Sequence, residues 1–167
     1  MTGDVSPGPI RTGWGYDAHR LGGDPPVLLG GVVISDDVGV IATSDGDVLA
    51  HAVTDAMLGA AVLGDMGDHF PSSDRSFSGA DSMGMLRRAV DSALSAGWQA
   101  DHLDATVIVE KLRVAPHRSE IRAGLAEALG LGVDRVSVKA TTTDGLGPIG
   151  EGGGIAAVAV VTVVPVR

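Results

Sequence analysis

Apolar positions recur along this chain in two periods, and the switches between them mark its elements. Residues 11–16 alternate and read as a first strand. Residues 27–29 and 32–34 are apolar runs joined by Gly30-Gly31, which predicts a β-hairpin. Residues 36–44 read as a loop. From Asp47 the period becomes helical: Val48, Leu49, Ala52, Val53, Ala56, Met57 and Ala60 fall on one broad stripe. Asp47 is placed to cap this helix and Gly64 to stop it, so it is expected to run through Leu63. So wide a stripe predicts burial over much of the helix surface.

Residues 64–80 are polar and rich in Gly, Ser and Pro, and are expected to form a long loop of functional weight. Met85, Leu86, Ala89, Val90, Ala93 and Leu94 predict a second helix over 81–96, ended by Gly97. A strand follows over 103–109. Pro116 opens a third helix that reaches Leu129 and stops at Gly130. Residues 136–139 form a strand, and 155–164 a last one. That final strand is apolar almost without alternation, the pattern of a strand covered on both faces. Three helices cover one face of a small sheet; a second copy of the chain has to cover the other. The expected fold class is therefore α+β: a two-layer domain, a small mixed β-sheet with helices on one face, and sheets packing together in a homo-oligomer. Residues 1–10 are expected to be a disordered tail and 11–167 a single domain.

Composition narrows the chemistry. Hydrophobic residues make up 44% of the 167 but aromatic ones only 3%, so the core must be aliphatic. There is no cysteine, which excludes disulfides and thiolate metal sites; any metal must be held by nitrogen and oxygen. A net charge of -9 argues against nucleic acid as a partner, since that needs basic stripes. No apolar run approaches the ~20 residues of a membrane helix, and nothing near the start reads as a signal peptide. The expectation is a soluble cytoplasmic protein with no membrane partner.

Three groups of residues stand out chemically. Asp17 and His19 lie two apart, so on a strand they share a face. His51 lies one helical turn from both Asp47 and Asp55. If strand and helix converge, Asp17, His19 and His51 give three ligands for a divalent ion and leave a fourth position open. Asp47 and Asp55 are then candidates to support the ligands from the second shell. Thr141, Thr142 and Thr143 follow a strand and offer hydroxyls for phosphate oxygens, and Asp144 beside them suits a hard cation such as magnesium. Glu110-Lys111-Leu112-Arg113 brings positive charge to a strand end, where it could meet a nucleotide phosphate. His69, His102 and His117 suggest surface or capping roles. Residues 147–154 are glycine-rich but lack the Lys-Ser/Thr of a Walker loop.

Several ordered motifs carry a resemblance: Gly15-Tyr16-Asp17-Ala18-His19, Gly30-Gly31, Ser44-Asp45-Gly46-Asp47 with His51, Thr54-Asp55-Ala56, Leu63-Gly64-Asp65-Met66-Gly67, Phe70-Pro71, Gly79-Ala80-Asp81-Ser82 and Lys139-Ala140-Thr141-Thr142-Thr143-Asp144. Together they resemble the 2-C-methyl-D-erythritol 2,4-cyclodiphosphate synthase family of the non-mevalonate isoprenoid pathway, from about Arg11 onward. The resemblance implies a homotrimer with active sites between subunits. It implies Zn2+ on Asp17, His19 and His51, and Mg2+ or Mn2+ at Asp144 between the nucleotide phosphates. It implies a cytidine diphosphate subsite from Ala140, Thr141, Thr142 and Thr143 with Glu110, Lys111, Leu112, Arg113, Val114 and Ala115. It assigns the methylerythritol part to Ser44, Asp65, Gly67, Phe70, Pro71, Ser72, Ser73 and Asp74.

The implied reaction is intramolecular: the 2-phosphate of 4-diphosphocytidyl-2-C-methyl-D-erythritol 2-phosphate attacks the β-phosphorus, and CMP leaves as a cyclodiphosphate forms. Thr142 and Thr43 stand at the implied catalytic positions. Thr43 is a departure, because the family normally has a histidine there; threonine donates one hydrogen bond but carries no charge. Ser72 stands where an acidic residue is common, and Glu151 where an arginine usually lines the trimer channel. The other readings open to these residues are a catalytically silent metal- and nucleotide-binding trimer, and a zinc hydrolase.

Overall fold

A computed structural model describes residues 9–71 and 73–166. Residues 1–8 of the expected tail lie outside that range; Pro9 and Ile10 are exposed. In chain order the elements are β1 (Arg11–Gly23), β2 (Val27–Leu29), β3 (Val32–Ser35), β4 (Gly39–Ile41), α1 (Val48–Ala61), α2 (Met66–His69), α3 (Ser82–Ser95), β5 (Trp98–Val109), α4 (Arg118–Leu129), β6 (Val136–Thr141), α5 (Gly147–Gly150) and β7 (Gly154–Pro165). Single 3-10 turns occupy Arg75–Phe77, Ala115–His117 and Val133–Arg135. The main sheet has the order β4-β1-β7-β5-β6, and only the β5–β6 pair is parallel. β2 and β3 form a separate hairpin.

Local chemistry explains several of these boundaries. Gly30 and Gly31 have φ of 58° and 78°, the left-handed pair that a two-residue hairpin turn demands. Asp47 starts α1: one of its carboxylate oxygens accepts from Ala50 N at 2.9 Å and the other from Gly31 N at 2.7 Å, which ties the helix to the hairpin turn. α4 stops at Gly130 in the left-handed region. α1 ends earlier than expected, at Ala61. The left-handed residue that caps it is Val62; Gly64, with φ of 86°, lies in the loop beyond. The polar stretch 64–80 holds α2 and a 3-10 turn, and 36–44 holds the edge strand β4; both were expected to be loops.

α1 lies between the sheet and α3 and is buried almost all round, as its wide stripe requires. Its approach to β1 is unusually close. A Cβ on Gly13 or Gly15 would collide with the backbone carbonyls of Ala56 or Ala52. Only glycine on the strand, facing alanine on the helix, permits this contact. The inner face of the sheet continues through Leu103, Ala105, Val107, Ala157, Ala159, Val161 and Val163, all buried. Each side chain of that size contributes about 1.5–3 kcal/mol when fully buried, less for alanine.

The helices cover one face only. On the other, Trp14 and Tyr16 are 63% and 48% exposed and stack with their ring planes 5° apart. Val158 and Val160 pair with them across β7 and are half-buried. The apolar β7 is thus sealed on both sides only if something lies against this face. No helix among the described residues is long and apolar enough to cross a membrane.

Candidate metal and nucleotide site

Beyond Tyr16, β1 keeps its alternation with polar residues facing inward. Gly13 and Gly15 admit α1, and the next two positions on the same face are Asp17 and His19. His51 lies in the first turn of α1. Asp17 Oδ2 is 2.8 Å from His51 Nδ1 and 3.0 Å from His19 Nε2, and the two ring nitrogens are 3.4 Å apart. The three ligand atoms lie within 4.8 Å of one another, all partly buried. One carboxylate oxygen and two imidazole nitrogens around a common point are a donor set for a divalent ion, with room for a further ligand. Burial pushes the Asp17 carboxyl up, but hydrogen bonds from His19 and His51 outweigh it and hold its pKa well below the carboxylate range.

The supporting shell differs from the one expected. The Asp47 carboxylate is consumed by backbone N–H groups, and Asp55 accepts from Met66 N at 2.8 Å. Neither hydrogen-bonds a ligand ring. Their helical spacing from His51 is right, but a cap and a loop anchor claim them first. The groups that do reach His51 are Ser82 Oγ at 2.8 Å and Ser44 Oγ at 3.2 Å, both on Nε2, with Ser82 Oγ in turn donating to Asp45. Asp45 and Ser82 carried no signal in the sequence beyond their place in the family motifs.

A cavity of about 490 Å³ opens beside His51 and is lined by Thr43, Ser44, Met66, Phe70, Asp74, Phe77 and Met85 among others. Of the residues expected around a methylerythritol unit, Ser44, Phe70 and Asp74 line it. Asp65 instead caps α2 through Asp68 N at 3.1 Å. Gly67, Pro71 and Ser73 stand on the same segment without lining the cavity, and Ser72 lies outside the described residues.

A second cavity of about 400 Å³ lies at the ends of β5 and β6. Glu110, Leu112, Arg113, Val114 and Ala115 form one wall, and Ala140, Thr141 and Thr142 the other. Val109, Pro116 and Arg118 complete it, none of them anticipated as site residues. Thr143 stands behind, donating its N–H to Glu110 Oε2 at 3.3 Å and its hydroxyl to Leu146 O at 2.8 Å. Lys111 packs along Gly152 rather than into the cavity. Asp144 is exposed beside it and has φ of 54°; its N–H donates to Thr142 Oγ1 at 3.2 Å. The two cavities share no lining residue. His69 Nε2 donates to Leu63 O at 2.8 Å as a loop anchor, His102 is exposed, and His117 precedes α4 without a side-chain cap.

A sequence model of the YgbB family matches residues 10–164, which take in both cavities and all three ligand positions. The chain belongs to the YgbB family. Among its relatives are proteins named 2-C-methyl-D-erythritol 2,4-cyclodiphosphate synthase. The one from Shewanella piezotolerans is 49% identical, covering 91% of this chain and 96% of the relative. The one from Pseudomonas aeruginosa is 50% identical, covering 90% and 96%. Solved structures agree. The bifunctional IspDF of Campylobacter jejuni superposes with a TM-score of 0.93 at 39% identity, covering 96% of this chain and 43% of that one. A CDP complex of IspF from Plasmodium falciparum gives 0.83 at 30%, covering 97% and 100%.

Proposed function

We propose that this YgbB-family chain converts 4-diphosphocytidyl-2-C-methyl-D-erythritol 2-phosphate to 2-C-methyl-D-erythritol 2,4-cyclodiphosphate and releases CMP, a step of isoprenoid biosynthesis. In reaction class it is a phosphorus–oxygen lyase. The observation that carries the reading is the convergence of Asp17, His19 and His51 beside a cavity, in a chain about half identical to synthases of that name over nine-tenths of its length.

A 2-phosphate oxygen attacks the β-phosphorus, the bond from that phosphorus to the bridging oxygen breaks, and the electron pair leaves with CMP. Both reacting groups are anionic, so the work is positioning and charge neutralisation. When bound, Zn2+ held by Asp17, His19 and His51 and Mg2+ or Mn2+ held at Asp144 would supply Lewis acidity and neutralise charge on the reacting phosphates and the leaving CMP. The protein's own groups do the rest. Thr142 Oγ1 already accepts from Asp144 N, so its proton is free to donate to a phosphate oxygen. Arg113 adds positive charge to the nucleotide cavity, where a cytidine diphosphate fits between residues 110–115 and 140–143. Thr43 and Ser44 offer hydroxyls at the metal-side cavity, and the segment from Asp65 to Asp74 takes the methylerythritol unit.

Two features support the homotrimer that the family resemblance implies: a sheet face with exposed Trp14 and Tyr16, and two half-sites on one chain that share no residue. Such a trimer would join the metal half of one subunit to the nucleotide half of the next. Residues 11–167 act as one domain, in the cytoplasm.

Phosphorus NMR of the purified protein with substrate, zinc and magnesium tests the reading. CMP together with a cyclic diphosphate supports it. Binding without turnover points to a silent trimer, linear hydrolysis products to a hydrolase, and either outcome refutes it.

A further inference from the structure

The chain of hydrogen bonds behind His51 has a direction that the donor inventory fixes. A carboxylate only accepts. Asp45 takes the Ser82 backbone N–H at 3.0 Å and the Asp47 N–H at 3.2 Å, and Ser82 Oγ also contacts it as a hydrogen-bond donor. The single hydroxyl proton of Ser82 is thereby spent on Asp45. Towards His51 Nε2, 2.8 Å away, Ser82 Oγ presents only a lone pair. Nε2 must then carry a proton. Nδ1 is left for the site: it faces Asp17 Oδ2 at 2.8 Å and His19 Nε2 at 3.4 Å. Asp17 is also only an acceptor, so with no ion present Nδ1 donates to it, and a bound ion takes the place of that proton.

The alternative tautomer shows what is at stake. Were Ser82 to donate to Nε2 instead, the ring's only proton would stay on Nδ1, bonded to Asp17, and the site would lose one ligand without any atom moving. Nothing else on the Nε2 side selects so firmly: Ser44 Oγ is farther, at 3.2 Å, and its rotatable hydroxyl serves as donor or acceptor. Ser82 is fully buried, and its oxygen cannot turn to solvent for another partner.

We infer that Ser82 and Asp45 are positioning residues that keep a proton on His51 Nε2, orient the ring and so leave Nδ1 to the ion. This rests on the reading that Asp17, His19 and His51 hold a divalent metal. It deepens that reading by adding two residues that touch neither ion nor substrate. The same bonds join the metal site to the chain that re-enters from the 64–80 segment. Ser82 opens α3, Asp45 N donates to Ala80 O at 3.1 Å, and Gly79 N donates to Thr43 O at 2.8 Å.

The test has two parts on the full-length protein. First, the metal-free protein with nitrogen-15-labelled histidine is examined by NMR at mildly alkaline pH, the His51 ring assigned by its loss in His51→Gln. A proton on Nε2 is expected, whatever Nδ1 carries; a ring whose only proton is on Nδ1 overturns the inference. Second, zinc affinity is measured by competition with a chromophoric chelator. Ser82→Ala should bind zinc about 10–100-fold more weakly, the usual effect of losing a partner behind a ligand. Ser82→Thr, which keeps the hydroxyl, should regain most of that, and Asp45→Asn should fall between. Wild-type affinity in both Ser82→Ala and Asp45→Asn overturns the inference. Should Ser82→Ala fail to fold, Asp45→Asn and the wild-type ring spectrum decide alone. A wild-type chain that binds no zinc refutes the metal reading itself, and that result precedes any substitution.

Discussion

Asp55 shows how one residue can cost stability and still serve the site. Burial, then the nearby Asp65 and Asp17 charges, raise its pKa against the opposing bond from Met66 N. An acid whose folded pKa is raised contributes stability below its unfolded value and loses it as pH climbs through the folded one. At neutral pH the ionised Asp55 therefore costs the metal-free protein stability. Asp55→Asn keeps an acceptor for Met66 N–H and removes the charge. Its metal-free melting temperature should exceed that of the parent at neutral pH, and the gain should vanish below the carboxylate range. Zinc affinity should move the other way and fall several-fold, because a negative charge close to Asp17 and His51 is gone. Thermal melts across pH and a zinc titration check both signs; equal melting at neutral pH would contradict the argument.

At the scale of elements, the contact between α1 and β1 sets the geometry of the proposed metal ligands. Gly15→Ala places a Cβ against the Ala52 carbonyl, which is backbone and cannot rotate away. The helix must shift, and overpacking of this kind costs about 1–3 kcal/mol. Because the same helix carries His51, zinc affinity should fall too, measurable in one chelator competition beside a urea melt. Val62→Asn should do the opposite for stability. A β-branched residue sits at φ of 60° there, and relieving it should add about 0.5–1 kcal/mol without touching zinc binding. These elements also divide what was legible in advance from what was not. The hairpin at Gly30-Gly31, the cap at Asp47 and the stop at Gly130 are local, decided by residues within a turn, and were readable. The length of β1 was not, because Asp17 and His19 break the apolar pattern just where they face inward for another purpose. β4 is three residues long and exists by pairing with β1. Ser82 and His51 are 31 positions apart, and no periodicity links a helix start to the middle of a loop-crossed pair. Asp47 and Asp55 had the right spacing from His51 for support, yet spacing counts neighbours without knowing which donors already hold them.

At the scale of the whole molecule, the proposed metal half and nucleotide half of the chemistry lie in separate cavities. If each active site is completed by two neighbouring subunits, defects in the two halves must complement. His51→Gln disables the metal half of its own chain but leaves its nucleotide half intact. Thr142→Ala does the reverse. Each variant alone should be nearly inactive. When equal amounts are unfolded together and reassembled, a site works only if its metal half comes from a Thr142→Ala chain and its nucleotide half from a His51→Gln chain. Random assembly in a cyclic trimer makes that pairing at about one site in four, so about a quarter of parental activity should return. Mixing without reassembly should restore none, because closed trimers do not exchange halves on the assay timescale. A site built within one chain gives no recovery under either protocol. The face proposed for the assembly carries the stacked Trp14 and Tyr16 with Val158 and Val160 between the strands. Val160→Asp, which sets a charge in the middle of that face, should lower the light-scattering mass from three chains to one and abolish turnover, while leaving a 16.8 kDa chain that still binds zinc through Asp17, His19 and His51.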